Sequence, residues 1–211
     1  MSVGRSFLHK ILLPLVYSPI IGFFVAFVLM KFLFLLLAKI SRVTINKWFS
    51  KLQIVSAAFM ALSHGMNDAQ KSMGIITLAL ISAGLLGSGA AIPVWVILAC
   101  AAAMAAGTAM GGKKIIKTIG SHMMKIDCPQ GFAAETSSAF VITAMSIAGN
   151  PISTTQVITA GIMGSGSAKR ASAVRWGVVR NILSAWVFTL PAAAILGGAA
   201  TLLVKIATGT L

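Results

Sequence analysis

A long apolar part of the chain is interrupted by the stretch Ser63-His64-Gly65-Met66-Asn67-Asp68-Ala69-Gln70-Lys71. An acid, an amide and a base therefore lie where the surrounding residues are apolar enough to cross a bilayer. Ionisable groups are costly inside a membrane and commonly mark a solute, ion or proton path. The chain has only three acidic residues, Asp68, Asp127 and Glu135. We therefore expect the acid of this stretch to have a function.

The composition is that of an integral membrane protein surrounded by lipid. Of 211 residues, 58% are hydrophobic and 9% are charged, which lies outside the range of soluble globular domains. The net charge of +14 comes from short basic clusters between apolar runs, without the motifs of nucleic-acid-binding proteins. The sequence therefore predicts no nucleic-acid partner.

Four apolar runs reach the ~20 residues that a spanning helix needs. They are residues 11–38, 52–86, 92–111 and 176–206. The second run is too long for one plain helix and contains the polar interruption in its middle. We predict that this run is a discontinuous helix whose freed backbone groups line a site.

Residues 128–164 have a different pattern, which predicts a re-entrant helical hairpin. Asp127-Cys128-Pro129-Gln130 opens the first arm, and Gly149-Asn150-Pro151 forms the turn. The second arm, from Ser153 to Gly164, is short: about 12 residues cover ~18 Å, less than the ~30 Å hydrocarbon core. The predicted fold class is thus an all-α integral membrane domain over residues 1–211, with about four spanning helices and this hairpin.

Basic residues predict the orientation of the chain. By the positive-inside rule, three basic loops face the cytoplasm, which places the N-terminus outside despite Arg5 and Lys10 and indicates a cell (inner or plasma) membrane protein. The loops are marked by Lys39, Arg42, Lys47 and Lys51, by Lys113, Lys114, Lys117 and Lys125, and by Lys169, Arg170 and Arg175.

The first candidate site comprises Asn67, Asp68 and Lys71, which share one face of a helix because they are three or four residues apart. Carboxylate and amide oxygens suit a hard cation or a proton, and the ammonium group suits an anion or neutralises Asp68. The alternative is an internal ion pair between Asp68 and Lys71 that only allows a polar helix to pack.

The second candidate site is the triplet Ser153-Thr154-Thr155. Ser153 and Gln156 have the spacing of a capping box, so the second hairpin arm should begin near Ser153. A helix start presents free N–H groups and a positive dipole end, which together with three hydroxyls can bind an anion. The alternative is an ordinary capped helix whose hydroxyls bond locally, and for an isolated triplet the alternative is the better interpretation.

The third candidate is Glu135, two turns into the first hairpin arm. It is a candidate for proton uptake or for balancing a bound cation, and the alternative is a helix-packing role. An intramembrane hydrolase is not expected, because Gly164-Ser165-Gly166 lacks a glycine two positions before its serine and Asp68 has no second aspartate in the membrane. The sequence predicts a protein that is not an enzyme and has no cofactor.

Three motifs now identify a resemblance. They are Gly65-Met66-Asn67-Asp68-Ala69-Gln70-Lys71, Gly131-Phe132-Ala133-Ala134-Glu135 and Pro151-Ile152-Ser153-Thr154-Thr155. In this order and spacing they resemble the C-terminal half of the inorganic phosphate transporter family, secondary transporters that couple phosphate uptake to Na⁺ or H⁺. Gln156 departs from the family pattern, where a histidine commonly follows the triplet.

The resemblance implies roles and a missing partner. Family members resemble two inverted repeats with phosphate and coupling ions between them. The residues implied for the coupling ion or proton are Asn67, Asp68 and Glu135, with Na⁺ at Asn67 and Asp68 as the only metal, and those implied for phosphate are Ser153, Thr154, Thr155 and Lys71. Because this sequence has one Asn-Asp motif and one hairpin, it needs a second transporter half or another copy of itself. The alternatives are transport of another oxyanion such as sulfate, or a non-transporting subunit or truncated remnant.

Overall fold

The computed structural model describes residues 9, 12–117 and 123–208, and all the long regular elements in these ranges are α-helices. One compact unit ends at Val174, and a second begins at Arg175. The helices are α1 (Leu13–Leu37), α2 (Arg42–Ser82), α3 (Val94–Lys117), α4 (Cys128–Ile147), α5 (Thr154–Lys169) and α6 (Trp176–Thr208), with a 3₁₀ turn at Ala171–Ala173.

In the first unit, α4 and α5 form the centre of the packing. They contact each other, α1 packs against both and mainly against α5, and α2 packs against α4. Helix α3 contacts α2. Two groups of buried apolar residues pack together in the described part of the chain. One comprises Met30, Leu33, Phe49, Ala133 and Ala168, and the other comprises Val141, Ile142, Ile152 and Val157.

Helices α1 and α5 approach each other at glycines. A Cβ atom on Gly164 would collide with the backbone of Phe23, and one on Gly22 would lie 3.1 Å from Cγ1 of Val157. The missing side chains let the two backbones approach closely, as small residues do at helix interfaces in membranes.

The predicted break in the second apolar run is wrong. Helix α2 runs without interruption over 41 residues from Arg42 to Ser82 and includes the whole Ser63–Lys71 stretch. This helix contains no proline, and a helical glycine such as Gly65 costs only about 1 kcal/mol relative to alanine. The site is therefore built from side chains on a continuous helix rather than from freed backbone groups.

The starts of both predicted hairpin arms are confirmed. Asp127 Oδ1 accepts a hydrogen bond from the Gln130 backbone N–H at 3.1 Å, and Gln130 Oε1 accepts one from the Asp127 N–H at 3.1 Å. Gly149, with φ of 69°, follows the end of α4. Ser153 caps α5 by accepting a hydrogen bond from the Gln156 N–H at 3.4 Å.

The second arm is longer than predicted. Helix α5 has 16 residues and ends at Lys169 rather than at Gly164. The glycines near its end are buried within the helix, and Met124 and Val174 lie against Gly166. It still covers only ~24 Å at 1.5 Å per residue. The re-entrant path of this hairpin stays a prediction.

Within the described parts of the chain, three helices are long and apolar enough to cross a membrane. They are Leu13–Leu37, Val94–Gly112 and Trp176–Ala207, and they coincide with three of the four predicted runs. The predicted span at residues 52–86 stays a prediction, because α2 carries the polar stretch. Residues 118–122 of the second basic loop, and Arg5 and Lys10, lie outside the described residues.

Candidate functional site

The carboxylate of Asp68 is the centre of a polar cluster between α2 and the start of α5. Its Oδ1 atom accepts hydrogen bonds from Asn67 Nδ2 at 2.8 Å and from Lys71 Nζ at 3.0 Å. Its Oδ2 atom accepts one from Thr154 Oγ1 at 2.8 Å and lies 2.9 Å from His64 Nε2. We call His64, Asn67, Asp68, Lys71 and Thr154 the Asp68 cluster.

The same cluster holds the connection between α4 and α5. The backbone carbonyl of Ile152 accepts hydrogen bonds from Lys71 Nζ at 2.6 Å and from Asn67 Nδ2 at 3.3 Å. Ser146, at the end of α4, donates to Asn67 Oδ1 at 3.2 Å. The amide of Asn67 therefore joins α2 both to the end of α4 and to the connection that precedes α5.

A cavity of about 650 Å³ lies beside the Asp68 cluster. His64 of α2 and both Thr154 and Thr155 of α5 line it, and Gly107 and Gly111 of α3 leave space on the opposite wall. Thr154 is buried, whereas Thr155 is exposed. The volume lies within the ~300–1,000 Å³ usual for small-molecule sites.

The three hydroxyls of the predicted anion site have different roles in this structure. Ser153 caps α5, Thr154 donates to Asp68, and Thr155 borders the cavity. The first-turn N–H groups of a helix lack intrahelical partners, and this end of α5 is the wall of the cavity. Ser153 therefore bonds locally, as in an ordinary capped helix, whereas the Thr154 hydroxyl belongs to the Asp68 cluster.

Glu135 lies in a second polar contact, away from Asp68. Ser56 Oγ donates to its Oε2 atom at 2.5 Å, and this contact joins α2 to α4. Ser56 and Asp68 are twelve residues apart on one continuous helix, which corresponds to ~18 Å along its axis. The structure therefore brings Asn67, Asp68, Lys71 and Thr154 together and places Glu135 elsewhere along α2.

The charges of Asp68 and Lys71 are opposite and cancel each other. Both carboxylate oxygens are occupied by donors, so a cation at Asp68 would replace at least one of them. Among the residues that the structure describes, no group of three or more His, Cys, Asp or Glu side chains could hold a metal ion. A cation at this site would therefore have Asp68 as its one carboxylate, together with neutral oxygens such as those of Asn67, Thr154 and Ile152.

Reasoning from the sequence missed His64, Ser146 and the Ile152 carbonyl. His64 was not assigned to the site, although its spacing of four residues from Asp68 predicts that the two side chains meet on a helix. The Ile152 carbonyl had no sequence signal, because a backbone acceptor is identified only by the path of the chain.

In a helical membrane protein, a charged cluster where a long helix meets the start of a short one is typical of the class of membrane transport proteins. Residues 38–197 match the family model described as "Phosphate transporter family". The chain belongs to this family.

Relatives and a solved structure agree with this assignment. The chain is 47% identical over 182 residues to a "Probable low-affinity inorganic phosphate transporter" of Rhizobium meliloti, covering 86% of this chain and 54% of the relative. It is 45% identical to a protein of the same name from Bacillus subtilis, covering 90% and 57%. The chain thus spans little more than half the length of these relatives, whose names describe transporters rather than enzymes.

The solved structure of "The sodium-dependent phosphate transporter" has the same fold over most of this chain. The TM-score is 0.63 with 22% sequence identity, and the match covers 89% of this chain and 57% of that structure. At this identity the likeness concerns the fold.

Proposed function

We propose that this chain is one half of a secondary transporter that carries inorganic phosphate across the cell membrane together with Na⁺ or H⁺. In this proposal it forms one transmembrane domain and works with a second half, either another chain or another copy of itself. The observation that carries the proposal is the Thr154–Asp68 hydrogen bond beside the 650 Å³ cavity. It joins the charged helix to the helix start at which an anion would bind.

Phosphate binds, in this proposal, at the start of α5. Thr154 and Thr155 line the cavity, and Ser153 caps the start of the helix. Helix N-termini favour anions through free N–H groups and the dipole. Lys71 reaches the Ile152 carbonyl two residues before the helix, so its ammonium group is near enough to turn towards a phosphate oxygen.

The coupling ion, in this proposal, competes for Asp68. Na⁺ is a hard cation that prefers oxygen ligands, and the oxygens of Asn67 and Asp68 are the acceptors at this position. Glu135 of α4 carries a second charge, and its partner Ser56 lies ~18 Å from Asp68 along the axis of α2 at ~1.5 Å per residue. Alternating access then requires rocking of this unit against the second repeat.

The test is uptake of labelled phosphate in transporter-deficient cells. The chain is expressed together with the segment of the Bacillus subtilis relative that it does not match, and membrane levels are measured in parallel. Asp68→Asn should lower uptake by at least about tenfold, since hydrogen bonds to charged groups contribute about 1.5–3 kcal/mol. Asp127→Asn is the matched control, because asparagine caps helices as well as aspartate does.

The outcomes separate the proposal from its alternatives. Unchanged uptake in Asp68→Asn would contradict the proposal. It would also be contradicted if the well-expressed chain gave no uptake with any second transporter half. Competition by excess sulfate would indicate a different oxyanion as substrate. Replacing Na⁺ by choline distinguishes the two coupling ions, since only Na⁺-coupled uptake should be lost.

A further inference from the structure

A second cavity lies at the opposite end of the α4–α5 pair from the Asp68 cluster. It has a volume of about 480 Å³ and is bordered by the end of α1, the starts of α2 and α4, and the end of α5. We call it the α1–α2 groove. None of the residues of the proposed transport site lines this groove.

The floor of the α1–α2 groove is hydrocarbon. Met30, Leu33 and Leu37 of α1 line it together with Ile45 of α2. At the rim, the side chains of Phe34 and Ile40 are 37% and 45% exposed, so the apolar surface continues from the floor to the outside. A small hydrated ion would gain nothing from such a floor, whereas an acyl chain would be buried by it.

One positive charge in the groove is unbalanced. Asp127 and Lys169 both border the groove, but Lys169 Nζ lies 2.7 Å from Asp127 Oδ2, so their charges cancel. Arg42, the first residue of α2, also borders it and is exposed. None of the ion pairs formed by the residues that the structure describes involves Arg42.

An arginine at the rim of an apolar groove fits the two parts of a phospholipid. A guanidinium group binds phosphate oxygens with two parallel hydrogen bonds. The positive-inside rule places the basic loop that contains Arg42 on the cytoplasmic side, where anionic lipids are enriched and basic groups between helices bind their head groups. We propose that the α1–α2 groove binds an anionic phospholipid, with its phosphate at Arg42 and an acyl chain along Leu33 and Leu37.

The test measures lipid retention by native mass spectrometry. The purified full chain is titrated in detergent with phosphatidylglycerol or phosphatidylcholine. Wild-type chain should retain phosphatidylglycerol at least about tenfold more strongly, and Arg42→Gln should abolish this preference. Lys47→Gln, which removes the same charge from an exposed site on the same helix outside the groove, should keep it.

A second variant tests the apolar part of the site. Leu37→Trp fills the groove without changing charge and should also reduce lipid retention, and it decides the question if Arg42→Gln does not fold. Equal loss with Arg42→Gln and Lys47→Gln would overturn the proposal in favour of diffuse attraction. Equal retention of both lipids, or displacement of phosphatidylglycerol by millimolar inorganic phosphate, would overturn it as well.

Discussion

At the scale of single residues, Asp68 is the most connected side chain in the candidate site. Its donors come from two sources: three from its own helix and one, Thr154, from α5. The contacts within α2 follow from spacing and persist whenever the helix forms. The contact with Thr154 depends on the position of α5, so it is the one through which the two helices affect each other.

Removing the Thr154 hydroxyl should impair transport without unfolding the chain. Thr154→Val keeps the shape of the side chain but leaves Asp68 Oδ2 without one of its donors, and a hydrogen bond to a charged group contributes about 1.5–3 kcal/mol. We expect phosphate uptake to fall by at least about tenfold. Thr154→Ser, which keeps the hydroxyl, should retain most of the uptake. Equal activity of the two variants would show that this hydrogen bond is not needed.

Neutralising both Asp68 and Lys71 distinguishes the two interpretations of this pair, as an ion-binding site or as an internal ion pair. If the pair only allows a polar helix to pack, the double variant Asp68→Asn/Lys71→Gln should recover the uptake lost in each single variant, because neither charge is left without its partner. If both groups bind transported ions, the double variant stays inactive although it accumulates in the membrane. We expect the second result, measured as uptake per amount of membrane-inserted protein.

At the scale of elements, the contact between α1 and α5 depends on glycine. Gly164→Ala should destabilise the chain because its new methyl group would collide with the Phe23 backbone, which cannot move aside as a side chain can. Overpacking of this kind costs about 1–3 kcal/mol. Gly74→Ala is the matched control, since nothing lies within 4 Å of its added methyl group and alanine favours a helix by about 1 kcal/mol over glycine. Thermal unfolding in detergent should show a lower midpoint for the first variant and an unchanged or higher one for the second.

Several elements could be predicted from the sequence because their signals are local. Asp127 with Gln130, and Ser153 with Gln156, mark two helix starts through short-range capping, and apolar length located three candidate spans. The continuity of α2 could not be predicted, because the polar side chains suggested an open backbone and only the tertiary contacts show where they are satisfied. The Ile152 carbonyl is the clearest case, since it lies more than eighty residues from Lys71 in the chain.

The site was predicted only in part, because some of its contacts are local and others depend on tertiary structure. Asn67, Asp68 and Lys71 belong to one helix face, so their meeting follows from helical geometry. That Thr154 joins them, while Ser153 and Thr155 do not contact Asp68, depends on the rotation of α5 about its axis. Reasoning from the triplet alone could not distinguish its three hydroxyls.

At the scale of the whole molecule, the chain matches 54% and 57% of two relatives' lengths. We expect that expression of this chain alone gives no phosphate uptake above background unless two copies pair, because one helix start and one charged cluster line only one side of a cavity. Co-expression with the unmatched segment of a relative should restore uptake. Cross-linking and size determination in detergent would show whether a lone active chain is a dimer, and activity of a monomer would contradict the half-site interpretation.

The close approach of α1 and α5 has a mechanical consequence. Two backbones in contact at Gly164 resist sliding past each other, so we expect α1 and α5 to move together. Exposed apolar side chains of α1, such as Val16 and Phe24, would meet the acyl chains of a bilayer, and α5 begins at Thr154. In the proposed transporter, a change in bilayer thickness that shifts α1 would therefore also shift Thr154 relative to Asp68.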